Sequence, residues 1–338
     1  MRIGNNPAKE NSNLEIESYH RVVIPVYIPN LDEEYFKDGL KILVLCLESL
    51  LSTIHSKTRV TIINNNCCPE VVNYLQKIYK SNDLVDQLLQ SKVNLGKINA
   101  IYAAVKSNLE PLISISDADV MFLPNWQKEV EKILDVFPQA GMVSPVPTSL
   151  GYRSEYIYST IYYALTKGKL KFSDVQNPKA MINFQKSIGR KKMYNKQHLS
   201  KYLTISKDET KAVIGCGHFV ATFRAEVFKK SPNEVCKLKI VGGSESDYFD
   251  IPNDKANLLR LATTSNYAYH LGNTIEQWMI EELDKIKKSN FTNNPLKSLS
   301  NVKYVKKQGY FIGKILHRVL FKKAKKIYFS YKGMKADY

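Results

Sequence analysis

Asp117-Ala118-Asp119 sets two carboxylates one residue apart, directly after the apolar run Leu112-Ile113-Ser114-Ile115-Ser116 and before Val120-Met121-Phe122. A hard divalent cation takes oxygen ligands and a diphosphate needs its charge neutralised, so an Asp-x-Asp edge at the carboxyl end of a sheet strand can serve both. The same tripeptide also serves as an ordinary turn or helix cap. A second acidic pair, Glu245 and Asp247, flanks Ser246 and can act as a general base or cap the helix expected to begin near Tyr248. His270, within Tyr269-His270-Leu271-Gly272, can ligate a metal or simply pack.

The elements that must position these groups alternate. Arg21-Val22-Val23-Ile24-Pro25-Val26-Tyr27 reads as a strand, and Leu40, Leu43, Val44, Leu47 and Leu51 give a helical spacing within 32–52. Arg59-Val60-Thr61-Ile62-Ile63 is a second strand ending at Asn64-Asn65-Asn66, and Pro69 opens a second helix. A weak strand near Leu88-Leu89 leads to Asn94-Leu95-Gly96-Lys97, a third helix, and the strand before the Asp pair. This alternation implies an α/β fold with a mainly parallel sheet covered on both faces. Four loops, Pro25-Val26-Tyr27, Asn64 to Asn66, Asn94 to Lys97 and Asp117 to Asp119, then converge on one rim, where such sheets bind ligands.

Beyond a helix over 125–137 and the strand Met142-Val143-Ser144-Pro145, the pattern breaks. Residues 166–211 lack clean periodicity and read as an inserted mobile loop with some helix. Residues 212–223 read as one glycine-interrupted strand, followed by a helix over 224–229 and by Gly242-Gly243 ahead of the second acidic pair. The last segment, 310–331, places Ile312, Leu316, Val319, Leu320 and Ile327 largely on one side, as in a basic interfacial helix.

The net charge of +17 over 338 residues suggests nucleic-acid binding until it is located. Residues 166–211 carry 12 Lys+Arg against 3 Asp+Glu, and residues 301–338 carry 11 against 1, leaving the rest near neutral. Basicity in two segments fits phosphate on a nucleotide, an anionic membrane or a phosphorylated acceptor, and fits a solvated surface equally. The five cysteines are odd in number and show no CxxC pairing, which points to a reducing, cytoplasmic compartment rather than a disulfide scaffold. The first nineteen residues are polar, without the apolar core of a signal peptide, and no apolar run has membrane-spanning length.

Taken in order, Ile24-Pro25-Val26-Tyr27, Asn64-Asn65, Asn94 to Lys97, Asp117-Ala118-Asp119, a glycine-rich strand before Phe223-Arg224, Glu245-x-Asp247 and Tyr269 to Gly272 resemble the glycosyltransferase family 2 pattern on the GT-A fold. The resemblance spans roughly 20–275 and rests on order and spacing. It implies a Rossmann-like mixed sheet and a catalytic domain over 20–280, with a nucleotide-binding half at 20–124 and an acceptor half at 125–280 that holds the 166–211 insert. A polar segment, 1–19, would precede it, and a basic amphipathic helical extension, 281–338, would follow. By position, Pro25, Val26, Tyr27 and Asn65 would hold base and ribose, and Asn94, Gly96 and Lys97 would close over the nucleotide. Asp117, with Ala118 beside it, would meet ribose or donor sugar; Asp119 would coordinate the metal, and His270 would complete its site. An imidazole ligand favours Mn²⁺ over Mg²⁺.

The resemblance also implies an inverting transfer with a carboxylate base, for which Asp247 is the first candidate and Glu245 the rival. The family pattern has adjacent acids here, and this chain has Ser246 between them. It often has an aspartate where this chain has Asn64-Asn65-Asn66, whose amides could still bond a uracil. Phe219, Tyr248 and Trp278 are candidates for stacking an acceptor sugar or for simple core packing. The expected partners are a nucleotide sugar, a UDP-sugar first, and a saccharide or lipid-linked acceptor in polysaccharide, lipooligosaccharide or glycan synthesis. A peripheral contact with the inner face of an anionic membrane is also expected, and nucleic acid is not. The competing readings are a non-enzymatic polyanion- or membrane-binding protein, and a sugar nucleotidyltransferase, which the glycine-free loop Tyr27 to Asp32 argues against.

Overall fold

The computed structural model describes residues 3–9, 13–240, 243–289, 291–335 and 338. Gly242, Asp337 and part of the polar amino-terminal segment lie outside the described residues. The first half follows the expected alternation: β1 (His20–Val26), α1 (Gly39–Leu51), β2 (Thr58–Asn65), α2 (Pro69–Ser81), β3 (Gln87–Ser91), α3 (Lys97–Val105) and β4 (Leu112–Ser116). Helix α1 starts later than its spacing suggests, because the Asn30 carboxamide oxygen accepts the Asp32 and Glu33 N–H groups and holds a turn there. After the Asp pair come the short β5 (Val120–Phe122), then α4 (Trp126–Val136) and β6 (Ala140–Ser144).

The insert is ordered rather than a loose loop. It begins where α5 (Tyr158–Thr166) ends and comprises β7 (Lys171–Asp174), α6 (Pro178–Ser187), α7 (Lys196–Ser200), β8 (Lys201–Lys207) and the start of β9 (Thr210–Ile214). Strand β7 is polar at its ends and pairs with β8 some thirty residues on, and β8 turns straight back into β9 through a polar hairpin, so local periodicity does not reveal them. The glycine-interrupted stretch is two strands, β9 and β10 (Val220–Arg224), because Gly215 takes φ +101° against the Gly151 backbone, where a Cβ would come within 2.5 Å. Then follow α8 (Ile251–Lys255), β11 (Leu259–Ala262), β12 (Ala268–His270), α9 (Gln277–Lys288), α10 (Lys307–Leu316) and α11 (Lys325–Tyr331).

Ten strands form one mixed sheet in the order β3-β2-β1-β4-β10-β6-β11-β9-β8-β7. β3, β2, β1 and β4 run parallel, so their carboxyl ends share the rim that carries the four loops. Antiparallel β10 is inserted between β4 and β6. A separate two-stranded sheet pairs β5 with β12. Among the described residues no helix is long and apolar enough to cross a membrane.

At the amino-terminal end of β1, buried His20 and His55 converge on Glu131, with Nδ1 of His20 at 2.6 Å and Nε2 of His55 at 3.0 Å from its Oε1. Tyr19 donates to the other carboxylate oxygen, Ser114 meets His20 Nε2 and Thr58 meets His55 Nδ1, so every polar atom of the trio has a partner. Burial alone would raise the Glu131 carboxyl, but hydrogen bonds from the two imidazoles outweigh it and hold it near 2. Burial also pushes His20 below its usual value. Both groups bind fewer protons folded than unfolded, so both lose stability as the solution is acidified. We expect stability to fall first below about pH 6.5 through His20 and again below about pH 4.5 through Glu131. Glu131→Gln should flatten the lower limb and cost about 3 kcal/mol at neutral pH, read from urea midpoints across pH.

The carboxyl-terminal segment, basic as it is, is part of the main core. Phe321, Phe329, Met334 and Tyr338 bury their side chains in the same cluster as Ile161, Leu203 and Leu261. Truncation after Ser300 therefore removes core, and Phe329→Ala alone should cost about 3–5 kcal/mol, seen as a lowered thermal midpoint.

Candidate active site

At the rim, Asn65 is buried and both ends of its carboxamide are spent on the neighbouring loop. Its Nδ2 donates to Asn94 Oδ1 at 3.1 Å, and its Oδ1 accepts the Leu95 N–H at 2.9 Å. Asn94 Oδ1 also accepts the Gly96 N–H at 2.8 Å. Asn65 thus shapes the 94–97 loop. Gly96 takes φ +78°, and a Cβ there would lie 2.9 Å from the Leu238 carbonyl oxygen, so only glycine lets segment 236–239 close over the loop. The Lys97 N–H donates to Lys239 O at 2.8 Å, completing that contact. Pro25 and Val26 end β1 beside Ile63 and Asn64, and Tyr27 stands half exposed with Phe36 edge-on to its ring.

The Asp pair turns the chain from β4 into β5, with Asp117 N–H bonded to Phe219 O and Ala118 between the two carboxylates. Because β5 pairs with β12 in the register His270↔Val120, and Leu271 N–H donates to Asp119 O, His270 is brought against Asp119. Nε2 of His270 lies 3.5 Å from Asp119 Oδ2. Among the described residues, Asp119 Oδ1 and His270 Nδ1 are both buried and have no hydrogen-bond partner. Burial, partly offset by His270, pushes the Asp119 carboxyl up to about 6. A carboxylate and an imidazole side by side, each with an orphaned buried atom, fit a divalent cation of the kind expected. The other His/Glu trio, His20, His55 and Glu131, is fully hydrogen-bonded and far from the rim.

Asp117 is tied to the acceptor half through Lys97, whose Nζ lies 2.5 Å from Asp117 Oδ1 and 2.6 Å from Glu245 Oε1. His218, from the β9–β10 loop, has Nδ1 3.4 Å from the other Glu245 oxygen and Nε2 2.7 Å from Asp250 Oδ1, which Arg260 also holds at 3.0 Å. Burial opposes the charge on His218, but Asp250 and Glu245 outweigh it and lift the imidazole to about 9. Burial would likewise raise Glu245, yet His218 and Lys97 hold it near 2. Asp247 differs: it lies exposed on the π-helical turn Ser246–Asp250 and lines neither cavity. That turn widens because Pro252 has no N–H for the Tyr248 carbonyl, which takes the Tyr102 hydroxyl at 2.7 Å instead.

Two cavities meet at His270, Phe184 and Phe219. The larger, about 610 Å³, lies between α6 and α9 and includes Trp278 and Glu281; the smaller, about 390 Å³, holds Asp117, His218 and Glu245. Phe184 of the insert stacks on Phe219 with centroids 5.2 Å apart, and both set their faces edge-on to the His270 ring. Tyr248, by contrast, is core, with its hydroxyl bonded to Glu234 O. Sequence reasoning missed His218, Asp250, Arg260 and Phe184; His218 beside two glycines was the only local hint.

A family profile described as glycosyl transferase family 2 matches residues 22–230. Among solved structures, residues 1–349 of TarS from S. aureus are 12% identical, with a TM-score of 0.40 over 79% of this chain and 69% of that one. The mannosyltransferase PcManGT from Pyrobaculum calidifontis, solved with GDP-Man and Mn²⁺, is 12% identical, with a TM-score of 0.44 over 92% of this chain and 75% of that one. No curated protein matches by sequence. With the profile covering most of the chain, on a mixed sheet whose parallel strands carry the Asp pair at their carboxyl ends, the chain belongs to glycosyl transferase family 2.

Proposed function

We propose that this glycosyltransferase moves a sugar from a nucleotide sugar, UDP-sugars being our first assignment, to a saccharide or lipid-linked acceptor, with inversion and with a divalent cation, Mn²⁺ before Mg²⁺. The observation that carries the reading is the Asp119 and His270 pair, with its two orphaned buried atoms, beside a cavity that also holds Asp117 and Glu245. Asp119 and His270 would hold the cation, which when bound supplies positive charge to the departing diphosphate.

The chain's own groups do the rest. Asp117 meets the donor's ribose or sugar, and the Asn65-braced loop with Gly96 and Lys97 closes over the nucleotide. Glu245 takes the acceptor hydroxyl proton, because it faces the cavity and Asp247 does not. Lys97 and His218 hold Glu245 in its carboxylate form, the form that can accept a proton. The rings of Phe184 and Phe219 pack edge-on against His270 and fix its orientation.

The test is nucleoside-diphosphate release from a panel of nucleotide sugars, with and without Mn²⁺ and with simple saccharide acceptors. Metal-dependent release from one donor supports the reading. Binding of no nucleotide sugar, measured on the same samples, would overturn it.

A further inference from the structure

The carboxyl-terminal helices present two apolar faces, and only one is used by the fold. On the inner face, Gly313 lies so close to Tyr158 that a Cβ would meet its carbonyl oxygen, His317 Nε2 bonds Tyr152 O at 2.9 Å, and Phe321 and Phe329 enter the core. Leu316 and Leu320, which the sequence groups with Ile312, Val319 and Ile327, pack on this core, whereas the other three are exposed. The outer face carries Phe311, Ile315 and Val319 at i, i+4 and i+8, with Phe311 69% and Ile315 64% exposed. One helix further on, Ile327 and Tyr331 repeat the spacing at 77% and 82% exposed. Lys307, Arg318, Lys323 and Lys326 are exposed on the same segment, in which eleven basic residues stand against one acidic.

Large exposed apolar side chains interleaved with cations suit neither open solvent nor a neutral protein face. They suit the boundary of an anionic bilayer, where apolar groups enter the acyl edge and lysines meet headgroup phosphates. We propose that the outer face of the carboxyl-terminal helices lies on an anionic membrane surface, with Phe311 and Ile315 entering it. The inner face of the same segment braces the wall of the smaller cavity: Tyr338 Oη donates to Ser149 O, and His317 holds Tyr152 O, on either side of cavity-lining Gly151. The same segment thus sits against the wall of the cavity that holds Glu245. The inference concerns this surface alone and stands or falls independently of the donor.

Flotation of the full chain with vesicles of phosphatidylcholine containing about 30% phosphatidylglycerol, and with phosphatidylcholine alone, tests it. We expect binding to the anionic vesicles, at least about tenfold weaker binding to the neutral ones, and a similar loss for Phe311→Ser/Ile315→Ser and for Lys307→Glu/Arg318→Glu. These residues are exposed, so thermal midpoints should match wild type, and donor turnover with a water-soluble acceptor should persist. Unchanged binding by the Phe311/Ile315 variant, absence of wild-type binding, or a wild-type dimer that the same variant abolishes would each overturn the proposal.

Discussion

Asp119→Asn should lower kcat/KM for sugar transfer by about a thousandfold, equivalent to about 4 kcal/mol of transition-state stabilisation, without lowering the thermal midpoint of the free protein. The activity loss follows from its place: Asp119 faces His270, and their two orphaned atoms form a ligand set that suits a divalent cation. An amide keeps the shape and one acceptor oxygen but removes the negative charge that attracts a cation. Stability should hold because burial already disfavours the native carboxylate's charge, a cost that the neutral amide avoids. Steady-state kinetics with calorimetric or fluorescence melting of the same samples checks both halves. A variant that lost activity together with its fold would show a structural role instead.

Glu245→Gln should lower kcat by about a hundredfold to ten-thousandfold while changing the donor KM only a few-fold, because general-base catalysis contributes on that scale. Asp247→Asn, on the exposed turn, should stay within about threefold of wild type. The contrast is sharp because the two acids sit two residues apart on one turn, so a disturbance of the turn itself would affect both alike. Lys97 and His218 lose a partner in Glu245→Gln, yet Lys97 keeps Asp117 and His218 keeps Asp250, which limits the structural cost. The reverse outcome, with Asp247→Asn inactive and Glu245→Gln active, would return the base to Asp247.

What was legible in the sequence was what short-range chemistry encodes. β1, β2 and β4 are β-branched runs between turn residues, and the Asp pair at the end of β4 falls where a parallel sheet binds ligands. What was hidden depends on contacts between distant segments. The role of Asn65 is decided by the loop thirty residues on, and the choice between Glu245 and Asp247 by a π-helical turn set by Pro252 and Tyr102. Residues 212–223 read as one strand because the reversal rests on Gly215 meeting Gly151, a close approach no local window contains. The insert reads as a loop because β7 and β8 are short and half polar, and its Phe184 reaches the site only through the fold. In the carboxyl-terminal helices the apolar period was visible, but which residues face the core and which face outward is set by the surface they dock on.

The central claim, that Asp119 and His270 hold a cation against a nucleotide diphosphate, is tested most directly by titration calorimetry of UDP with and without Mn²⁺ on wild type, Asp119→Asn and His270→Ala. Mn²⁺ should tighten UDP binding by at least about tenfold in wild type and by less than about twofold in either variant. Equal tightening in all three proteins would contradict it and place the cation elsewhere.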